Sequence, residues 1–186
     1  MKVENEKLAL LLRGVGIVTL IVLAAVLRIV PHPWNLTPVG AMALFSGAMF
    51  RNKWIAFLLP LASLFAGDVF VGFHKLMFVV YASFAISVAI GQWLAENRSV
   101  ARIGGAVFLG ALQFFVVTNF AVWAVGGFYP KTATGFANCF AAGVPFFWNT
   151  LAGDALYACM LFGGLALAER IVPALRLHHG RPAPAR

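Results

Sequence analysis

Two of the chain's six acidic residues, Asp68 and Asp154, lie inside apolar stretches long enough to cross a bilayer. An ionised carboxylate at that depth costs several kcal/mol unless it meets a partner, a cavity or a proton. Both occur as Ala-Gly-Asp, at 66–68 and 152–154. Three arrangements would use such a pair. Two carboxylates sharing a proton activate water, the chemistry of an intramembrane aspartyl hydrolase. Two carboxylates on opposite walls of a cavity bind donor groups or a cation on a ligand. Two carboxylates satisfied by neighbouring helices only hold a structure together. The fuller Gly-x-Gly-Asp pattern of an aspartyl hydrolase is absent, because Phe65 and Leu151 stand where its first glycine would be.

The elements that must position these groups are legible in the composition. At 186 residues, 62% hydrophobic and 11% charged, the chain is far more apolar than a soluble domain, which averages about 25% charged. Five or six apolar runs are separated by short polar breaks, and one bilayer crossing takes ~20 such residues. The pattern predicts an all-α integral membrane protein with six helices, at 8–30, 38–50, 54–73, 76–95, 103–127 and 148–170. Residues 1–175 form one membrane domain and 176–186 a disordered basic tail. The second helix is short, with Thr37 as its N-cap and Pro38 at its first position. Gly40, Ala43 and Gly47 give it a face for close packing or for docking a partner, by small-x-x-x-small spacing.

Charge sets the orientation. With the N-terminus in the cytoplasm, eleven of the fourteen Lys and Arg residues fall inside and only Arg28, Lys75 and Lys131 outside. This bias favours an even number of spans with both termini cytoplasmic. The net charge of +8 is scattered singly between apolar runs, without the basic, aromatic-interleaved patch that nucleic acid needs, so no nucleic-acid partner is expected. Cys139 and Cys159 show no metal-ligand spacing, and no phosphate-binding GxxxxGK[ST] loop is present. Neither a metal nor a cofactor is expected, and any ATP-driven step needs partner proteins.

In that topology Asp68 lies about five residues, ~8 Å, below the outer end of the third helix. Asp154 lies about six residues, ~9 Å, below the same surface on the sixth. Tyr81, Asn119 and Asn149 fall near that level, and His32, Trp34, Asn35, His74 and Trp123 lie at or above it. This asymmetry describes an outward-facing, polar-lined cavity with an apolar floor. The long connection from Tyr129 to Trp148, broken by Pro145, reads as a lid or binding loop.

The assembled segments also resemble a family. Pro31-His-Pro-Trp-Asn-Leu-Thr-Pro-Val-Gly-Ala41, Gly67-Asp68 with Gly72-Phe-His74, and Thr118-Asn119-Phe120 with Trp123 are similar to the signature of an uncharacterised bacterial family of transport-type membrane proteins. Tyr129-Pro-Lys-Thr132 and Pro145-Phe-Phe-Trp-Asn-Thr150 with Gly153-Asp154 complete the set. In architecture that family resembles the substrate-binding S components of energy-coupling-factor (ECF) vitamin transporters. The resemblance implies six helices, an outward pocket covered by loops, residence in the bacterial cytoplasmic membrane and uptake of a small vitamin-like nutrient. Its partners would be the lipid bilayer and an ECF module of one transmembrane T subunit and two ATPases. On this reading Asp68 and Asp154 bind donors or a cation on the ligand, Asn119 and Asn149 make paired hydrogen bonds, and Trp34 and Trp123 stack on a ring. Asn35, His74 and Tyr81 complete the set. The chain would be a binding protein and not an enzyme.

Overall fold

A computed structural model describes residues 35–50 and 52–171, together with four isolated helical positions, Val15, Gly16, Thr19 and Val26. The rest of the expected first span, His32, Trp34 and the tail from 172 onward lie outside the described residues. Among the described residues the fold is all-helical: α1 Val39–Met49, α2 Lys53–Val71, α3 Met77–Leu94, α4 Val100–Val125 and α5 Ala133–Ile171. The last four are long and apolar enough to cross a membrane, the architecture of a multi-pass helical membrane protein.

Local chemistry sets most of the boundaries. Asn52 caps α2 by accepting from the Trp54 amide at 3.0 Å, and Gly72 ends it at a φ of 103°, open to glycine but rarely to other residues. The Ser99 hydroxyl caps α4 by accepting from the Arg102 amide at 3.4 Å. Thr132 does the same for α5, accepting from the Gly135 amide at 3.1 Å.

The short helix α1 is the centre of the bundle. Its residues from Val39 to Ala48 are all buried, and it packs on α3, α2 and α5, with a lighter contact to α4. A helix that is apolar all round belongs in a core, and this one has no polar face to show water. Eleven residues span only ~16 Å, about half of a ~30 Å hydrocarbon layer. One of its ends therefore lies well inside the protein, where unsatisfied backbone groups are costly.

Glycine permits the closest crossing. A Cβ on Gly47 would lie 2.1 Å from the Val88 carbonyl oxygen, and one on Gly91 would lie 2.2 Å from that of Leu44. The two helices α1 and α3 thus touch backbone to backbone. Gly40 and Ala43 are buried as well, so the small residues of α1 serve packing inside the chain and present no face at its surface.

Proline is handled by a neighbour. Pro60, inside α2, has no N–H to offer the Ala56 carbonyl four residues earlier. The buried Ser46 hydroxyl of α1 donates to that oxygen instead, at 2.8 Å. Neighbouring helices re-satisfying a freed carbonyl is how membrane helices tolerate proline.

One expectation is overturned. Residues 133–147 are not a lid but the first four turns of α5, which runs unbroken through Pro145 for 39 residues. Gly135, Cys139 and Gly143, at four-residue spacing, are the buried positions of this stretch. Gly135 sits against the Pro130 carbonyl and Gly143 against the Asn119 side chain, so small residues seat the segment on α4 and its approach. The N-cap of α1 also differs by one residue: it is Pro38, not Thr37, and it makes no side-chain capping bond.

Candidate functional site

The missing cap of α1 comes from 113 residues away. Asp154 of α5 accepts the Ala41 amide on Oδ1 at 3.0 Å, and its side chain is only 4% exposed. Ala41 is the third residue of α1, so this amide has no carbonyl of its own helix to bond. The carboxylate also faces the positive end of the helix dipole, roughly half a unit charge. Gly153 eases the approach, since a Cβ there would lie 3.2 Å from the Leu36 Cα and 3.3 Å from the Thr37 nitrogen. In the Gly153-Asp154 pair, one residue lets the backbones meet and the other caps the helix.

Above this junction lies a cavity of about 300 Å³. Thr37 and Gly40 contribute from the start of α1, His74 and Leu76 from the α2–α3 connection, and Val80 and Phe84 from α3. The C-terminal half of α4 adds Phe114, Thr118 and Val122, and α5 adds Thr150 and Asp154. A second cavity of about 250 Å³ adjoins it, sharing Asn35, Thr118 and Val122, and reaches Asn119, Tyr129, Cys139 and Gly143. Asn35 stands at the junction of the two with a φ of 65°, a left-handed conformation that asparagine tolerates better than most residues. Both cavities lie at the end of the bundle where α2 passes to α3 and α4 to α5.

Of the residues singled out in the sequence, Asp154, His74 and Asn35 line the first cavity, and Asn119 with Asn35 the second. Asp68 does not share a wall with Asp154. It is 1% exposed between helices, and the Tyr81 hydroxyl donates to its Oδ2 at 2.9 Å. The two carboxylates therefore have different partners and different surroundings. Asn149, Tyr81 and Trp123 are not among the lining residues of either cavity. Trp123 closes the α4–α5 turn: its ring N–H donates to the Pro130 carbonyl at 3.1 Å, while the Lys131 ammonium donates to the Trp123 carbonyl and lies over its ring. Asn119 bonds its own helix, Nδ2 donating to the Phe115 carbonyl at 2.8 Å. Among the described residues no group of three His, Cys, Asp or Glu is gathered to hold a metal.

Three cavity residues were passed over in the sequence as candidate ligands. Thr37, Thr118 and Thr150 bring hydroxyls to the first cavity. Each is a small polar residue in an apolar neighbourhood, a signal shared by many helix-packing threonines.

The chain belongs to a family of unknown function, DUF6580, whose sequence profile matches residues 10–175. No curated protein and no solved structure matches it.

Proposed function

We propose that this is a membrane-embedded binding and uptake protein for a small nutrient, held in the cavity over the N-terminus of α1. In this reading the chain makes six spans, both termini lie in the bacterial cytoplasm, and the cavity opens to the outer face. The charge asymmetry of the connections supports that orientation. The observation that carries the reading is the cavity itself: about 300 Å³, apolar-walled, with a buried carboxylate and threonine hydroxyls converging on it at one end of the bundle. Ligand sites combine such walls with a few placed polar groups, and a bundle built only for structure has no use for the space.

Energy for uptake would come from partner ATPase subunits of the ECF kind. The docking face for such a partner is not the Gly40/Ala43/Gly47 stripe, which is buried. It belongs on the outward faces of α2 to α5, where large apolar side chains such as Leu58 and Phe78 are exposed. The test is to purify the full chain in mild detergent and identify retained small molecules by mass spectrometry, against an unrelated membrane protein prepared in parallel. One molecule retained near one per chain is expected. A chain that retains nothing, and whose melting temperature responds to no small molecule in a nutrient panel, would falsify the proposal.

A further inference from the structure

On the α4 and α5 wall of the first cavity the side chains offer acceptors. Thr118 and Thr150 each have one hydroxyl proton, and each gives it to its own helix: Thr118 to the Phe114 carbonyl at 2.7 Å, Thr150 to the Phe146 carbonyl at 2.9 Å. What remains of both hydroxyls is lone pairs. Asp154 is acceptor-only when ionised; Oδ1 takes the Ala41 amide, and Oδ2 accepts no hydrogen bond from any described residue. The side chains able to donate lie nearer the mouth: Asn35 and His74 are exposed and Thr37 is half-buried at the start of α1. The opposing wall carries the rings of Phe84 and Phe114, with centroids 5.0 Å apart.

Charge points the same way. The N-terminus of α1 brings roughly half a positive unit to the cavity floor, which alone would favour an anion. An ionised Asp154 outweighs that with a full negative unit, and a bound cation is the partner that keeps a carboxylate this buried ionised. A bare metal ion is a poor occupant, because it needs a close shell of several oxygens and the cavity is far larger than such a shell.

Resting on the uptake reading above, we infer that the ligand is a small organic cation that presents N–H donors, an ammonium or amidinium group on an apolar or aromatic body. The N–H groups bond Asp154 Oδ2 and the hydroxyl oxygens of Thr118 and Thr150. The body lies against Phe84 and Phe114, whose ring faces also favour positive charge.

Three probes of similar shape separate the possibilities: benzylammonium, benzyl alcohol and benzoate, each titrated onto the full chain in detergent and read by melting temperature and calorimetry. Sodium and potassium chloride serve as the inorganic arm. Benzylammonium is expected to bind at least about tenfold more tightly than either neutral or anionic probe, as a charge-assisted bond to a buried carboxylate implies. Asp154→Asn retains an oxygen for the Ala41 amide and removes the charge, and it should weaken benzylammonium about tenfold or more. Thr150→Val keeps the shape, removes one acceptor and should weaken it several-fold, which serves if Asp154→Asn does not fold. Equal or tighter binding of benzoate overturns the inference, as does unchanged affinity in the variants that fold. Sodium alone reproducing the stabilisation and competing with benzylammonium overturns it in favour of an inorganic cation. A retained anionic nutrient would sink this inference and leave the uptake reading standing; no binding of any probe or nutrient would sink both.

Discussion

The carboxylate of Asp154 rests directly on the Cα of Gly40. A Cβ built at residue 40 would lie 2.2 Å from Oδ1 and 2.5 Å from Oδ2, far inside contact distance. The glycine is therefore the seat of the carboxylate, and the carboxylate is the cap of the helix that begins there. A half-length helix in the middle of a bundle needs such a partner, because its first amides are buried inside the protein and have no carbonyl of their own helix to bond. The same contact places the one acidic side chain among the residues that line the cavity.

Gly40→Ala should displace the Asp154 side chain and break its bond to the Ala41 amide. Overpacking of this kind costs about 1–3 kcal/mol, and the lost cap adds to it. The measurable outcome is a lower melting temperature for the detergent-solubilised protein. In an Asp154→Ala background the obstruction is gone, and the same substitution should cost little, since alanine is the better helix former by about 0.5–1 kcal/mol. An equal cost in both backgrounds would show that the contact is not the cause.

Much of this arrangement was legible in the sequence, and the misses share a cause. Apolar run length gave the boundaries of α1 to α4 to within three residues, because chain-local signals such as Asn52, Gly72 and Ser99 mark them. The two Gly-Asp pairs stood out because a carboxylate in an apolar run is rare. Their partners did not, because Ala41 and Asp154 meet across 113 residues and no local pattern encodes that contact. The sequence therefore placed Asp68 opposite Asp154, when similar depth had been read as shared location. Likewise Gly40, Ala43 and Gly47 read as a face for close packing or for a partner, and the packing is inside the chain, since spacing reports closeness and not which helix is close.

The stretch 133–147 tests how proline should be read in this setting. Pro145 and the Tyr129-Pro130 pair suggested a loop, yet Gly135, Cys139 and Gly143 recur at the helical period, Gly135 against the Pro130 carbonyl and the other two against Asn119 of α4. Thirty-nine residues make a helix of ~58 Å, nearly twice a hydrocarbon layer, so α5 extends well past the cavity. Backbone amides from 137 to 148, proline excepted, should exchange with deuterium slowly and at one common level in detergent or nanodiscs. Pro145→Ala should preserve the fold and raise the melting temperature, because it restores a donor for the Ala141 carbonyl. Fast exchange confined to this stretch would return it to the status of a mobile lid.

The second aspartate has a different task to be tested. Asp68 is buried to 1% exposure, and Tyr81 donates to it across the α2–α3 interface at 2.9 Å. A hydrogen bond to a charged group contributes about 1.5–3 kcal/mol, and removing its donor leaves a carboxylate less satisfied in a place it cannot leave. Tyr81→Phe should therefore lower stability by an amount in that range while keeping the ring's packing. Asp68→Asn should destabilise as well, and the pair of substitutions together should cost less than the sum of the two, because both remove the same bond. Additive costs would mean that Tyr81 and Asp68 act separately. Sub-additive costs would mark them as one buried unit that joins α2 to α3, just as Asp154 joins α5 to α1.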